Sequence, residues 1–408
     1  MYSDWDYNNN LVYSSPEPPK QQGITPNNPN PMNSTVLCTN EYCVPDEDYI
    51  DMIEAYIFPN TFEWILIAFH LTVFLVGLIG NALVCISVYR NHSMRTVTNY
   101  FIVNLAVADF LVILFCLPPS VLWDVTETWF FGSIMCKLVL YLQSVSVSVS
   151  VLTLTFISID RWYAICHPLK FKSTASRAKK AIIIIWLTSF LLVLPDAIVM
   201  DTRKVSALKV DVIYFTDCTY TWNNQYTKLY QLLIVFFLYC APFLFMLFFY
   251  YQIVKVLWNK NIPGSAEVNS RQIRTAVVRS NGNGNISLTS ATATSSSSSS
   301  GIESQIRSRR KAAKMIIAVV ALFGLCYLPV HLINTLRYTV GLPQTQLATV
   351  ASLMSHWLCY ANSAVNPIIY NFMNGKFRRE FRKSFCFLCV TETETQTPTI
   401  MTNTIRGV

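Results

Sequence analysis

An all-α fold is predicted: seven helices crossing a membrane and packed as one bundle. Three observations carry this reading. The chain is 52% hydrophobic and only 13% charged, against about 25% charged in soluble domains. It holds seven apolar runs long enough to cross a hydrocarbon core of roughly 30 Å, for which about 17–25 residues suffice. Lys and Arg gather in alternate connecting segments, the pattern that orients helical membrane proteins.

The first run extends from about Trp64 to Val88 without a full charge. The second, about Thr96 to Leu122, holds one near its middle, Asp109. The third is about Ser133 to Ile159, the fourth about Ala181 to Met200 and the fifth about Leu229 to Val254. The sixth is about Met315 to Leu336 and the seventh about Leu347 to Met373. Inside the third lies SVSVSVSVL, Ser144 to Leu152, whose strict alternation taken alone reads as a half-buried strand. A lone strand in lipid would leave its backbone polar groups unpaired, so the expectation is helix. Serine hydroxyls can bond back to the carbonyl four residues earlier, and small side chains let helices approach closely. Most of these serines are expected only to pack.

Arg90 and Arg95 follow the first run; Lys170, Lys172 and Arg177 follow the third, with Lys179 and Lys180 at the edge. The segment between the fifth and sixth runs carries Lys260, Arg271, Arg274, Arg279, Arg307, Arg309, Arg310 and Lys311 among others. The C-terminal segment adds Lys376, Arg378, Arg379, Arg382 and Lys383. The N-terminal segment has a single basic residue, Lys20, against acids that include Asp46, Glu47, Asp48, Asp51 and Glu54. The N-terminus is therefore expected outside the plasma membrane and the C-terminus in the cytoplasm. The net charge of +8 becomes a feature of the cytoplasmic face. It suits anionic lipid or an acidic partner; nucleic acid is not needed to account for it.

The domain plan is an extracellular segment 1–61, a bundle 62–374, a short amphipathic helix 375–389 and a tail 390–408. The N-terminus lacks a basic stretch followed by an apolar run, so the first span is expected to target the chain. Residues 1–45 are rich in Asn, Pro and Ser and read as disordered, with a glycosylation sequon at Asn33. Residues 46–58 read as an amphipathic helix with Tyr49, Met52, Ile53, Tyr56 and Ile57 on one face. It either lies on the protein or lipid, or forms a lid over an extracellular site. Residues 259–306, with NGNGN and a six-serine run, read as a flexible loop.

Among the twelve cysteines, Cys136 and Cys218 both fall in outer, oxidising space and are the expected disulfide. Cys38 and Cys43 are a second candidate pair. Cys85, Cys116, Cys240, Cys326 and Cys359 lie within runs and are expected to pack. Cys386 and Cys389 follow KFRREFRKSF, an interfacial helix by pattern, and are palmitoylation candidates. Asp109 is costly in a membrane, about 2.5–3.5 kcal/mol on insertion scales. Its expected company is Asn81, Ser150, Asn362, Ser363 and Asn366, a polar pocket for water and a candidate site for Na⁺. Pro242, Pro329 and Pro367 sit inside runs, where proline removes a backbone hydrogen bond and kinks a helix.

These residues match a family in order. Gly80-Asn81, Asn104-Leu-Ala-Val-Ala-Asp109, Asp160-Arg161-Trp162, Trp186, Pro242, Phe323-x-x-Cys326-Tyr327-Leu328-Pro329 and Asn366-Pro367-Ile-Ile-Tyr370 resemble the class A G-protein-coupled receptors over about Phe62 to Cys389. The stretches NHSMRTVTNYFIVNLAVADFLV, YLQSVSVSVSVLTL and SHWLCYANSAVNPIIYNF, with Trp162 and Tyr327, are similar to orexin receptors and the invertebrate allatotropin receptors. Gln143 replaces the aspartate of amine receptors and Tyr360 the retinal lysine of opsins. The resemblance implies a β-hairpin in the second extracellular loop and an extracellular amidated neuropeptide. It further implies a heterotrimeric G protein, mainly Gq with a calcium output, and arrestin and receptor kinases at the threonine-rich tail. It implies no enzyme activity and no cofactor beyond a structural Na⁺ at Asp109.

Ligand residues carried over from the group are Ser120, Asp124 and Trp129 around the end of span two, and Gln143, Ser144 and Val147 in span three. Trp222 matches in the second outer loop, Tyr230 in span five, Asn334 in span six, and His356 and Tyr360 in span seven. Two positions depart: Asp196 stands where orexin receptors carry glutamine, and Gln231 where they carry histidine. Asp196 is expected either to face a basic group of the peptide or to be a solvated residue at a helix end. The activation relay is expected from Val151, Pro242 and Phe323, with Asp160, Arg161, Tyr250 and Tyr370 rearranging to admit the G protein. Arg309 occupies the place where many such receptors carry an acid that holds the Arg161 equivalent, so some basal activity is expected. The weighed alternatives are a receptor of this class for a different neuropeptide, a transporter, which would more often show repeats or several embedded charges, and an intramembrane enzyme, for which no catalytic groups converge.

Overall fold

Pro59 ends one helix and Asn60 begins the next. The Asn60 side chain accepts from the Glu63 N–H at 3.1 Å, and Glu63 accepts from the Asn60 N–H at 2.8 Å. This reciprocal cap satisfies two donors that a helix start leaves open. The computed structural model describes residues 40, 43–167, 174–204, 210, 212–258, 295–343 and 345–394, without the side chains of 295–306 and 385–394. Asn33, Cys38 and the tail threonines beyond 394 lie outside these residues, as do the side chains of Cys386 and Cys389.

A short helix α1 (Asp46–Ile57) precedes the first span, α2 (Thr61–Arg90). The second span is α3 (Val97–Phe115) with α4 (Leu117–Thr126), and the third is α5 (Gly132–Cys166). The fourth is α6 (Ala175–Leu192) with α7 (Leu194–Val199). Strands β1 (Met200–Lys204) and β2 (Thr216–Tyr220) pair antiparallel, Thr202 opposite Cys218, and form the expected outer hairpin. The fifth span is α8 (Asn224–Val235), a π-turn Phe236–Cys240 and α9 (Ala241–Trp258). The sixth lies in α10 (Ser295–Thr339), the seventh is α11 (Gln346–Met373), and α12 (Gly375–Glu394) follows. Five of these crossings are long and apolar enough to span a membrane by length and composition alone. The fourth and seventh fall outside that set. The fourth begins with Arg177, Lys179 and Lys180, and the seventh carries His356, Asn362, Ser363 and Asn366.

Three expectations are corrected. The second and fourth spans are each broken, at Cys116 and Val193, because Pro118 and Pro119 open α4 and Pro195 opens α7. Proline lacks the N–H that would continue the preceding helix but suits a first turn. The segment 259–306 is not loop throughout, since helix begins at Ser295 as a continuation of span six. Extending an existing helix avoids the nucleation cost that an isolated serine run would face. The interfacial helix runs past 389 to Glu394.

The third span is central and packs on α3, α6, α7, α9 and α10. The serine-valine stretch is helix throughout. Ser146 donates to the Ala108 carbonyl of span two at 2.9 Å, while Val145, Val149 and Val151 are fully buried. Asn104 donates to Thr153 at 2.8 Å and accepts from the Trp186 indole at 2.8 Å, tying spans two, three and four. Gly80 lets span one meet span seven: a Cβ there would lie 2.9 Å from the Pro367 ring. Ile79, Ile184, Leu187, Leu244 and Phe248 are exposed, the surface that hydrocarbon covers.

Candidate functional site

Between the outer halves of spans two to seven lies a cavity of about 140 Å³, roofed on one side by the hairpin. Gln143, Ser144 and Val147 line it from span three, Asp196 from span four, Tyr230 and Gln231 from span five, Asn334 from span six and Tyr360 from span seven. Eight of the expected ligand residues therefore converge. The disulfide Cys136–Cys218, with Cα atoms 5.7 Å apart, pins β2 to the top of span three and sets the hairpin over the opening. Lys137 and Asp201 add an ion pair at 3.9 Å across the same junction.

Five expected residues do not line the cavity but brace its rim. Asp124 and His356 pair with each other, Nδ1 to Oδ1 at 3.0 Å, and join spans two and seven. The Tyr360 hydroxyl bonds Ser120 at 2.9 Å on the same seam. The Trp129 indole donates to the Gly132 carbonyl at 2.9 Å, and its ring meets Trp123 edge-on. Trp222 stacks on Tyr220, with ring centroids 6.0 Å apart. Among the lining residues that the sequence reading did not assign to the ligand are Tyr220 of β2 and His331 of span six. Tyr220 reaches the cavity only because of hairpin register, and no local pattern marks it. His331 sits four residues after Tyr327, a helical interval that puts both on one face, and this signal was available.

The helix α1 docks on the hairpin's loop. The Tyr214 hydroxyl donates to Glu54 at 2.6 Å, and the rings of Tyr56 and Phe215 are 6.0 Å apart. Its buried stripe is narrower than expected: Tyr49 and Ile53 are covered, whereas Met52 and Tyr56 are exposed. Cys43, just before it, is disulfide-bonded.

Below the cavity the Asp109 carboxylate is buried and accepts from the Ser363 hydroxyl at 2.7 Å and the Asn366 amide at 2.9 Å. Asn81 instead donates to the carbonyls of Gly77 at 2.9 Å and Ser363 at 3.0 Å. Neither Ser150 nor Asn362 bonds the carboxylate, although both are buried. The amide oxygens of Asn81, Asn362 and Asn366 are buried without a partner among the described residues. Three open amide oxygens and a carboxylate form an oxygen donor set that fits a hard cation. Ser363 also lines the cavity above, so one residue belongs to both sites.

At the end of the bundle opposite the cavity Asp160 and Arg161 pair with each other at 2.5 Å. Arg309 is exposed, and its neighbour Arg310 donates twice to the Leu257 carbonyl, at 3.0 and 2.6 Å. Ser158 donates to Tyr250 at 3.2 Å, and the Trp162 indole to Gln252 at 2.6 Å. Phe323, Val151 and Tyr370 are buried, and Phe323 packs on Tyr327 at 4.6 Å.

Residues 80–370 match the family model described as 7 transmembrane receptor (rhodopsin family). The chain belongs to that family. It is a multi-pass membrane receptor, and the family is one of receptors rather than enzymes. The receptor is also 29% identical over 318 residues to a QRFP-like peptide receptor of Branchiostoma floridae, a match covering 77% of this chain and 76% of that one.

Proposed function

We propose that the receptor binds an amidated neuropeptide of the orexin or allatotropin type in the outer cavity and signals mainly through Gq and calcium. The N-terminus lies outside, the C-terminus inside, and arrestin and receptor kinases act on the tail. The observation that carries this reading is the position of Ser363. A ligand filling the cavity changes the surroundings of a hydroxyl that donates to Asp109 at 2.7 Å, and hence the packing of span seven on span two. Peptide then favours the arrangement in which the cytoplasmic ends part. Moving the population from 1:99 to 99:1 takes about 5.5 kcal/mol of differential affinity. Asp109 and the open oxygens of Asn81, Asn362 and Asn366 would hold Na⁺, which would supply a positive charge beside the carboxylate.

The named relative favours a second reading, in which the peptide resembles that of the Branchiostoma floridae receptor. The test is a calcium assay in cells expressing the receptor, challenged with orexin-type, allatotropin-type and QRFP-type peptides and their free-acid forms. An amidated peptide that raises calcium, and loses potency as the free acid, supports the proposal. A response to the QRFP-type peptides alone selects the second reading. Silence to every peptide at verified surface expression overturns both.

A further inference from the structure

Asp196 is 4% exposed, yet it lines the cavity. Its Oδ1 accepts from the Tyr220 hydroxyl at 3.0 Å, and that hydroxyl accepts from the Gln231 amide at 2.9 Å. The hydroxyls of Ser144 and Tyr230 approach the same carboxylate. Every one of these groups is neutral. Among the described residues Asp196 forms no ion pair, whereas Asp124, Asp160 and Asp201 each have one. A carboxylate held away from water without a cation is costly, and a charged partner relieves that cost. Beside it three aromatic rings pack on one another: Tyr220 on Trp222 at 6.0 Å, Tyr220 on Tyr230 at 6.0 Å and Trp222 on Tyr230 at 5.5 Å. Aromatic faces attract cations, guanidinium most readily. The Tyr230 hydroxyl is buried beside the Asp196 carboxylate, and its oxygen lone pairs can accept from such a group.

We propose that Asp196, Tyr220 and Tyr230 form a receiving corner for a cationic side chain of the ligand, arginine above all, and that this corner selects peptides by charge. The proposal rests on the peptide-receptor reading and narrows it to peptides with a basic residue in the part that enters the cavity. The competing role for Asp196 is a protonated acid that only holds Tyr220. Asparagine mimics that form, since its carbonyl still accepts from the tyrosine.

The experiment uses two pools of C-terminally amidated hexapeptides, random except for one fixed position that holds arginine in one pool and citrulline, its neutral isostere, in the other. Each pool is scanned through all positions against full-length receptor in membranes, with guanine-nucleotide exchange as readout and surface density matched. At one position the arginine pool is expected to be about tenfold or more the more potent, the scale of one hydrogen-bonded charge. Asp196→Asn is expected to abolish that preference and Asp196→Glu to keep it. A wild-type receptor indifferent to the exchange at every position overturns the proposal, and that comparison needs no variant to fold. A preference that survives in Asp196→Asn overturns it as well. Exchange evoked by neither pool, with the receptor at the surface, removes the peptide-receptor reading itself and the proposal with it.

Discussion

The Trp162 indole N–H reaches from span three to the Gln252 carbonyl oxygen at 2.6 Å, and the ring packs on Phe249 at 5.4 Å. One residue thus supplies both a hydrogen bond and an aromatic contact between spans three and five. Trp162→Phe keeps the packing and removes the donor; Gln252→Leu removes the acceptor. Each is expected to lower unfolding stability by about 1 kcal/mol, and the pair together by less than the sum. A double-mutant cycle on detergent-solubilised receptor reads this; full additivity would mean that the bond contributes nothing. Ser363→Ala removes one of two donors to Asp109 and leaves a buried acceptor short, at a cost of about 1–3 kcal/mol. It should also weaken the coupling between cavity and switch, read as a smaller effect of Na⁺ on peptide affinity. At this scale Asp109 was legible because a lone carboxylate in an apolar run has few tolerable explanations. Its partners were legible only in part: Ser363 and Asn366 bond it, whereas Ser150 is buried without bonding it. Tyr220 and Gln252 were not legible, because their partners come from other elements.

Gly80 and Pro367 set the closeness of spans one and seven. A Cβ on Gly80 would stand 2.9 Å from a rigid ring that cannot swing aside. Gly80→Ala is therefore expected to separate the two helices and cost about 1–3 kcal/mol, the usual range for overpacking. A lower melting temperature in a thermal-shift assay checks it; an unchanged one would mean that the helices part freely. The helix α1 depends on a few contacts with the hairpin, chiefly Tyr214 to Glu54 at 2.6 Å. Tyr214→Phe should speed amide hydrogen exchange in residues 46–57 while leaving the spans protected. Helix existence was readable from apolar run length, but helix breaks were not assigned. Pro118, Pro119 and Pro195 were visible in the sequence, yet only the structure sorts proline that opens a new helix from proline carried inside one, such as Pro329 and Pro367. The extension of span six back to Ser295 was hidden because a serine run has the composition of a loop.

The seven crossings make one object with a cavity at one end, a polar cluster in the middle and a set of inter-helix contacts at the other. Among the described residues no span-six acid pairs with Arg161, which pairs with its neighbour Asp160. Span six is tied to span five through Arg310, a contact that lets the two move together. The receptor is therefore expected to signal above mock without peptide in a reporter assay at high expression. Silence there would require a further restraint on span six. The measurement that tests the central claim most directly is guanine-nucleotide loading of purified Gq heterotrimer by the full-length receptor in lipid vesicles, with and without an active amidated peptide. The account predicts that peptide accelerates loading and that Asp109→Leu, at equal peptide binding, blunts the acceleration. Peptide binding without any change in loading, or acceleration indifferent to Asp109, would contradict it.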